Sequence, residues 1–154
     1  MLTHYFPGAR VTEQVIADAT DIIVLSPVSV VGPDGTGEPI TNMTDGILFN
    51  GERLFGEDYE TFHLLGTDRE HEQTSWFCKT EGHPYDEVVI ACLVSLHVRT
   101  GLPISSDASW EGWSLGVSLF ERAVRRLSED ERLSLEMHIS RLHPDEPLNT
   151  DAAV

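Results

Sequence analysis

Basic residues are scarce in this chain. Only 10 lysines and arginines face 26 aspartates and glutamates, for a formal net charge of −16, and Lys79 is the sole lysine. A surface with that field repels phosphate backbones and anionic membranes. Direct nucleic-acid binding through a basic patch and membrane attachment are therefore disfavoured, and a basic protein surface is the electrostatically suited partner. Cysteine is equally scarce: Cys78 and Cys92 are the only two, each inside an apolar stretch, so no disulfide framework is indicated. No apolar run approaches the roughly 20 residues needed to cross a bilayer. The start Met1-Leu2-Thr3-His4-Tyr5-Phe6-Pro7 lacks the basic opening and apolar centre of a secretion signal. These absences predict a cytoplasmic protein. Gly32-Pro33-Asp34-Gly35-Thr36-Gly37 has no following lysine and no helix start, both of which a phosphate-cradling loop requires, and no cofactor is expected.

What is present suits a globular domain. The 154 residues are 40% hydrophobic and 23% charged, enough apolar material for one core. The pattern predicts a single α+β domain over residues 1–143 and a polar, frayed tail over 144–154. Val11, Val15, Ile16 and Ala19 share one helical face over Val11 to Thr20. The β-branched run Asp21 to Val31 then reads as a strand, at an edge or bulge because Pro27 cannot donate to a ladder. Ile47-Leu48-Phe49 followed by Asn50-Gly51 predicts a strand entering a tight type I′ turn. Thr61 to Leu65 and Thr74 to Lys79 are further extended candidates, joined by the charged run Thr67 to Glu72. Together these give a small antiparallel sheet of three to five strands in the N-terminal half.

The C-terminal half reads as helical. Pro84, with Asp86 and Glu87 behind it, opens a helix that runs through Val88 to Arg99 and stops at Gly101 and Pro103. That helix is apolar on nearly every side, which predicts the buried centre of the domain. Trp110 to Leu127 carries another helical pattern. Ser128-Glu129-Asp130-Glu131 is a capping box for a last amphipathic helix ending before Pro144. The expected architecture is the sheet packed on a buried central helix and two further C-terminal helices.

The block Trp76-Phe77-Cys78-Lys79-Thr80, then Pro84-Tyr85-Asp86 and Val88-Val89, then Ser105-Ser106-Asp107 with Trp110 and Trp113, resembles a family of small bacteriophage and prophage proteins. Ile47 to Gly51 and Glu60-Thr61-Phe62 match the same family, so the resemblance covers roughly residues 46 to 120. It implies a viral or mobile-element origin and carries no assigned activity. His83 departs from the family, which has a basic residue there, and this weighs against imidazole chemistry at that position.

Three constellations could carry chemistry. Cys78, His83 and Asp86 offer a thiol, a base and an orienting acid, although their spacing does not impose a catalytic geometry and a packed thiol is the plainer reading. His63, His71, Cys78 and His83 are possible soft-metal ligands, but their separations match no standard zinc knuckle. Trp110 and Trp113, three apart on one helix face beside Glu111, could anchor an interface, with Glu57, Asp58 and Glu60 as an acidic binding set. Asp86 with Glu87 and Glu129 to Glu131 fall in opening turns of helices, and His138 and His143 near a helix end, where the dipole explains them. The preferred expectation is a non-enzymatic, acidic phage-type accessory protein. It would bind another protein, as an inhibitor occupying a basic nucleic-acid-binding surface. The alternative is a small hydrolase or nucleotide-acting enzyme using Cys78, His83 and Asp86 or a metal site.

Overall fold

A computed structural model of the chain describes residues 2–8, 10–67 and 75–140. The charged run 68–74 with His71, the tail 144–154 and His143 lie outside these described residues.

The fold is α+β, with helices packed against two small antiparallel sheets. The first helix, α1 (Glu13–Leu25), starts where Thr12 accepts the Val15 N–H on its side chain at 3.2 Å. Val15, Ala19 and Ile22 are buried at helical spacing. This corrects the strand expected from Asp21. Residues 21–25 complete α1, because Ile22 continues the inward stripe of Val15 and Ala19, and that burial outweighs β-branched preference. Ser26, which precedes Pro27, is extended (ψ 135°) and ends the helix. Of the remaining expected strand only Val31 pairs, in a bridge to Asn50.

Among the described residues six strands divide into two sheets rather than forming one. The first sheet has the order β5 (Ser75–Lys79), β1 (Thr3–Pro7), β6 (Ser105–Ser106). The second runs β2 (Ile40–Asn42), β3 (Gly46–Phe49), β4 (Phe62–Leu65). In β1, His4 and Phe6 are buried while Tyr5 between them is exposed, the alternation of a half-buried strand. The sheets meet at Phe6 and Phe62, 5.6 Å apart centroid to centroid, and Phe49 packs beside Phe62 within the second sheet at 5.2 Å.

Helix α2 (Asp86–Thr100) runs through the centre, with every residue from Val88 to His97 buried. It stops at Gly101, whose φ of 76° is the left-handed conformation glycine favours, and whose N–H returns to the His97 carbonyl at 2.8 Å. Helix α3 (Ser114–Ala123) crosses it closely at Gly116, where an added Cβ would lie 2.3 Å from Ile90 Cγ2. Asp18 on α1 ties to the same helix, accepting from Ser95 Oγ at 2.8 Å and from Arg99 Nε and Nη2 at 2.8 and 3.1 Å. The capping box opens α4 (Glu129–Ser140) as expected: Glu131 N–H donates to Ser128 Oγ at 3.1 Å, and Ser128 N–H to Glu131 Oε1 at 2.9 Å. Leu135 and Ile139 insert into the shared core. Among the described residues no helix is long and apolar enough to cross a membrane.

Candidate functional site

The expected Asn50-Gly51 hairpin turn does not form. Neither residue has a positive φ, and β3 returns as β4 only after the connection 50–61. Asn50 builds that connection instead. Its buried side chain accepts the Gly51 N–H at 2.7 Å and the Tyr59 N–H at 3.0 Å. Its Nδ2 donates to the Tyr59 carbonyl at 3.1 Å and to Thr61 Oγ1 at 3.2 Å. The full donor and acceptor capacity of the amide is thereby engaged.

Within the loop so closed, Arg53–Phe55 form one 3-10 turn. The Glu52 side chain accepts the Leu54 N–H, and Gly56 (φ 71°) turns the chain back. The turn carries its apolar side chains outward. Leu54 is 81% and Phe55 71% exposed, and Tyr59, further along the loop, is exposed as well. Leaving two adjacent large apolar side chains in water forgoes the burial that stabilises a fold. Carboxylates share this part of the chain. Glu52, Glu57 and Asp58 belong to the loop, and Asp34 sits alongside, its N–H bonded to Thr61 Oγ1 at 2.9 Å. Arg53 offsets part of this charge through a 3.7 Å ion pair with Asp58.

Not all of the expected binding residues face outward. Glu60 turns in: its Oε1 accepts the Lys79 N–H at 2.8 Å, and its carbonyl accepts the Tyr85 hydroxyl at 2.6 Å, so it braces the edge of β5. Trp113 is fully buried, with the His4 ring edge-on at 5.6 Å, and belongs to the core. Trp110 is half-buried beside exposed Glu111, and both line a cavity of about 290 Å³ with Val117, Glu121 and Arg132. The aromatic pair expected on one surface is thus divided between core and surface, whereas Leu54 and Phe55 carried no periodic signal that would have singled them out.

Cys78, His83 and Asp86 do not assemble as a nucleophile, base and acid. The Cys78 thiol is buried and donates to the Glu60 carbonyl at 3.6 Å. Burial, reinforced by the charges of Glu60 and Asp86, pushes its pKa far up, away from the reactive thiolate. His83 lies near Tyr59, with ring centroids 6.3 Å apart. His63 packs edge-on against Trp76 at 5.4 Å. Among the described residues no group of three or more His, Cys, Asp or Glu is placed to hold a metal.

Asp86 belongs to a different cluster. Its Oδ1 lies 2.6 Å from His4 Nε2 and also accepts from Thr80 Oγ1, while His4 Nδ1 lies 2.8 Å from Ser106 Oγ. The carboxylate can only accept, so Nε2 carries a proton. In the neutral ring Nδ1 then accepts from Ser106, whose oxygen takes the Ala108 N–H at 2.9 Å. The donor order is that of a nucleophilic triad, but Ser106 is completely buried and no substrate carbonyl can reach it. The end that approaches solvent is Asp86, beside a small cavity of about 150 Å³. The cluster joins β1, β6 and the start of α2. Partners separated by 82 and 102 residues leave no local sequence signal.

No protein-family model matches the chain. Neither a curated protein nor a solved structure matches it.

Proposed function

We propose that this chain is a non-enzymatic binding protein that docks on a basic surface of another protein through the loop 50–61. The observation that carries this reading is the exposed Leu54-Phe55 pair, held on a braced turn and flanked by Glu52, Glu57, Asp58 and Asp34. Hot spots of protein interfaces combine apolar anchors with a polar rim, and complementary charge raises the rate of encounter. The net charge of −16 extends the same field over the molecule and disfavours phosphate backbones as direct ligands.

The resemblance to bacteriophage and prophage proteins suits an accessory protein of this kind, acting in the cytoplasm of a host cell. A basic surface that normally meets nucleic acid is the partner best matched to an acidic occupant, and the chain would act there as an inhibitor. A hydrolase built on Cys78, His83 and Asp86 draws no support from a buried, protonated thiol. Affinity for the partner measured against ionic strength tests the proposal. Binding should weaken steeply with salt and be lost in a Leu54→Ser, Phe55→Ser variant; salt-indifferent binding that survives both substitutions would overturn it.

A further inference from the structure

Helix α4 meets α2 at a pair of imidazoles. His97, on α2 and 7% exposed, donates Nδ1–H to the Leu102 carbonyl at 2.7 Å, and its Nε2 lies 2.8 Å from Ser134 Oγ on α4. A carbonyl only accepts, so Nδ1 holds the proton; in the neutral ring Nε2 takes the Ser134 hydroxyl. One turn further along α4, His138 donates Nδ1–H to the Ser134 carbonyl at 2.7 Å, which fixes its ring 4.7 Å from that of His97. Both rings open onto a cavity of about 320 Å³.

Among the described residues the charged groups around this pair are few and mostly committed. Asp130 and Glu131 reach the cavity from α4. Glu131 is held by Arg125 at 2.9 and 3.0 Å. Arg99, on α2, is turned to Asp18 on α1. Burial therefore dominates at His97 and lowers its pKa. The neighbouring His138 acts in the same direction, while the Leu102 carbonyl and Glu131 oppose it.

We propose that the contact of His97 with Ser134 and His138 is an acid-sensitive latch, in which a proton arriving at His97 Nε2, the nitrogen that faces Ser134, loosens α4 from α2 while the N-terminal cap of α4 stays formed. A buried base with a lowered pKa binds its proton more readily once α4 has lifted away. Docking is thus undiminished above the ordinary value of 6.5 and weakens as pH falls from there toward the lowered value. The cap titrates elsewhere. Arg125 and the Ser128 N–H hold Glu131 down at about 2, so the capping box persists through the range in which the latch opens. Loss of the cap and release of the latch are separable in pH.

Hydrogen exchange of α4 and α2 amides, corrected for intrinsic rates and compared between about pH 7.5 and 5.5, tests the proposal. Protection of α4 should fall by up to about tenfold, because 5.5 lies one pH unit below the ordinary value of 6.5, while α2 stays protected. A His97→Gln variant, whose amide can still donate to Leu102 and accept from Ser134, should lose this pH dependence, and His138→Gln should diminish it. Parallel loss in both helices, or unchanged pH dependence in a folded His97→Gln variant, would overturn the latch. If the variant does not fold, an NMR titration of His97 in the native chain decides: a value below 6.5 supports the latch, and one at or above it rejects it.

Discussion

The side-chain amide of Asn50 grips both backbone groups of Tyr59, accepting its N–H at 3.0 Å and donating to its carbonyl at 3.1 Å. One buried side chain thereby closes the loop that presents Leu54 and Phe55. Asn50→Ala would strand the Gly51 and Tyr59 N–H groups near the core. The expected cost is about 3 kcal/mol by urea unfolding, because each buried polar group left without a partner forfeits its solvation. Amide exchange across 51–60 should accelerate with it.

Leu54 and Phe55 contribute little to the fold. The Leu54→Ser, Phe55→Ser variant should keep its stability within about 0.5 kcal/mol, as surface substitutions do. Affinity for a partner should drop by about 2 kcal/mol or more, roughly 30-fold, if these side chains are the anchors. Thermal unfolding and binding measured on the same preparation separate the two effects.

Cys78 and Cys92 are both fully buried, and burial pushes both thiols up in pKa. Neither should react with iodoacetamide in the native chain at neutral pH, whereas both should react promptly in urea. Rapid native labelling of Cys78 would revive the thiol-enzyme reading.

The approach of α3 to α2 depends on Gly116 having no side chain, since its Cβ would meet Ile90 Cγ2 at 2.3 Å and the Glu87 carbonyl at 2.9 Å. Gly116→Ala should destabilise the chain by about 3 kcal/mol, detected as a lowered unfolding midpoint. A neutral substitution would contradict the packing of these helices.

Local chemistry was the part of the fold that could be read in advance. The Ser128 to Glu131 cap, the Gly101 stop and the all-round apolar character of α2 each follow from interactions within a few residues, and each is present in the fold. What depended on distant partners was hidden. Residues Ile22 to Val24 look like strand until Val15 and Ala19 are seen to share a buried face with Ile22. Strand β1 is recognisable only through β5 and β6, which pair with it from 68 or more residues away. Asn50-Gly51 carries the signature of a tight turn, yet the side chain of Asn50 is used to clamp Tyr59 instead. At the site, the acidic set Glu57, Asp58 and Glu60 falls within the loop proposed to dock. Its apolar tip stayed invisible because exposure is a property of the folded surface, and the His4, Asp86 and Ser106 cluster because it is assembled across three elements.

The most direct test of docking through residues 50–61 is an NMR titration of the labelled chain with a peptide of alternating arginine and leucine, at low salt and again near 1 M. Shifts should concentrate at Asp34 and at Glu52 to Tyr59, fade at high salt, and vanish in the Leu54→Ser, Phe55→Ser variant. Shifts spread evenly over the acidic surface, or centred elsewhere and unaffected by those substitutions, would contradict the account.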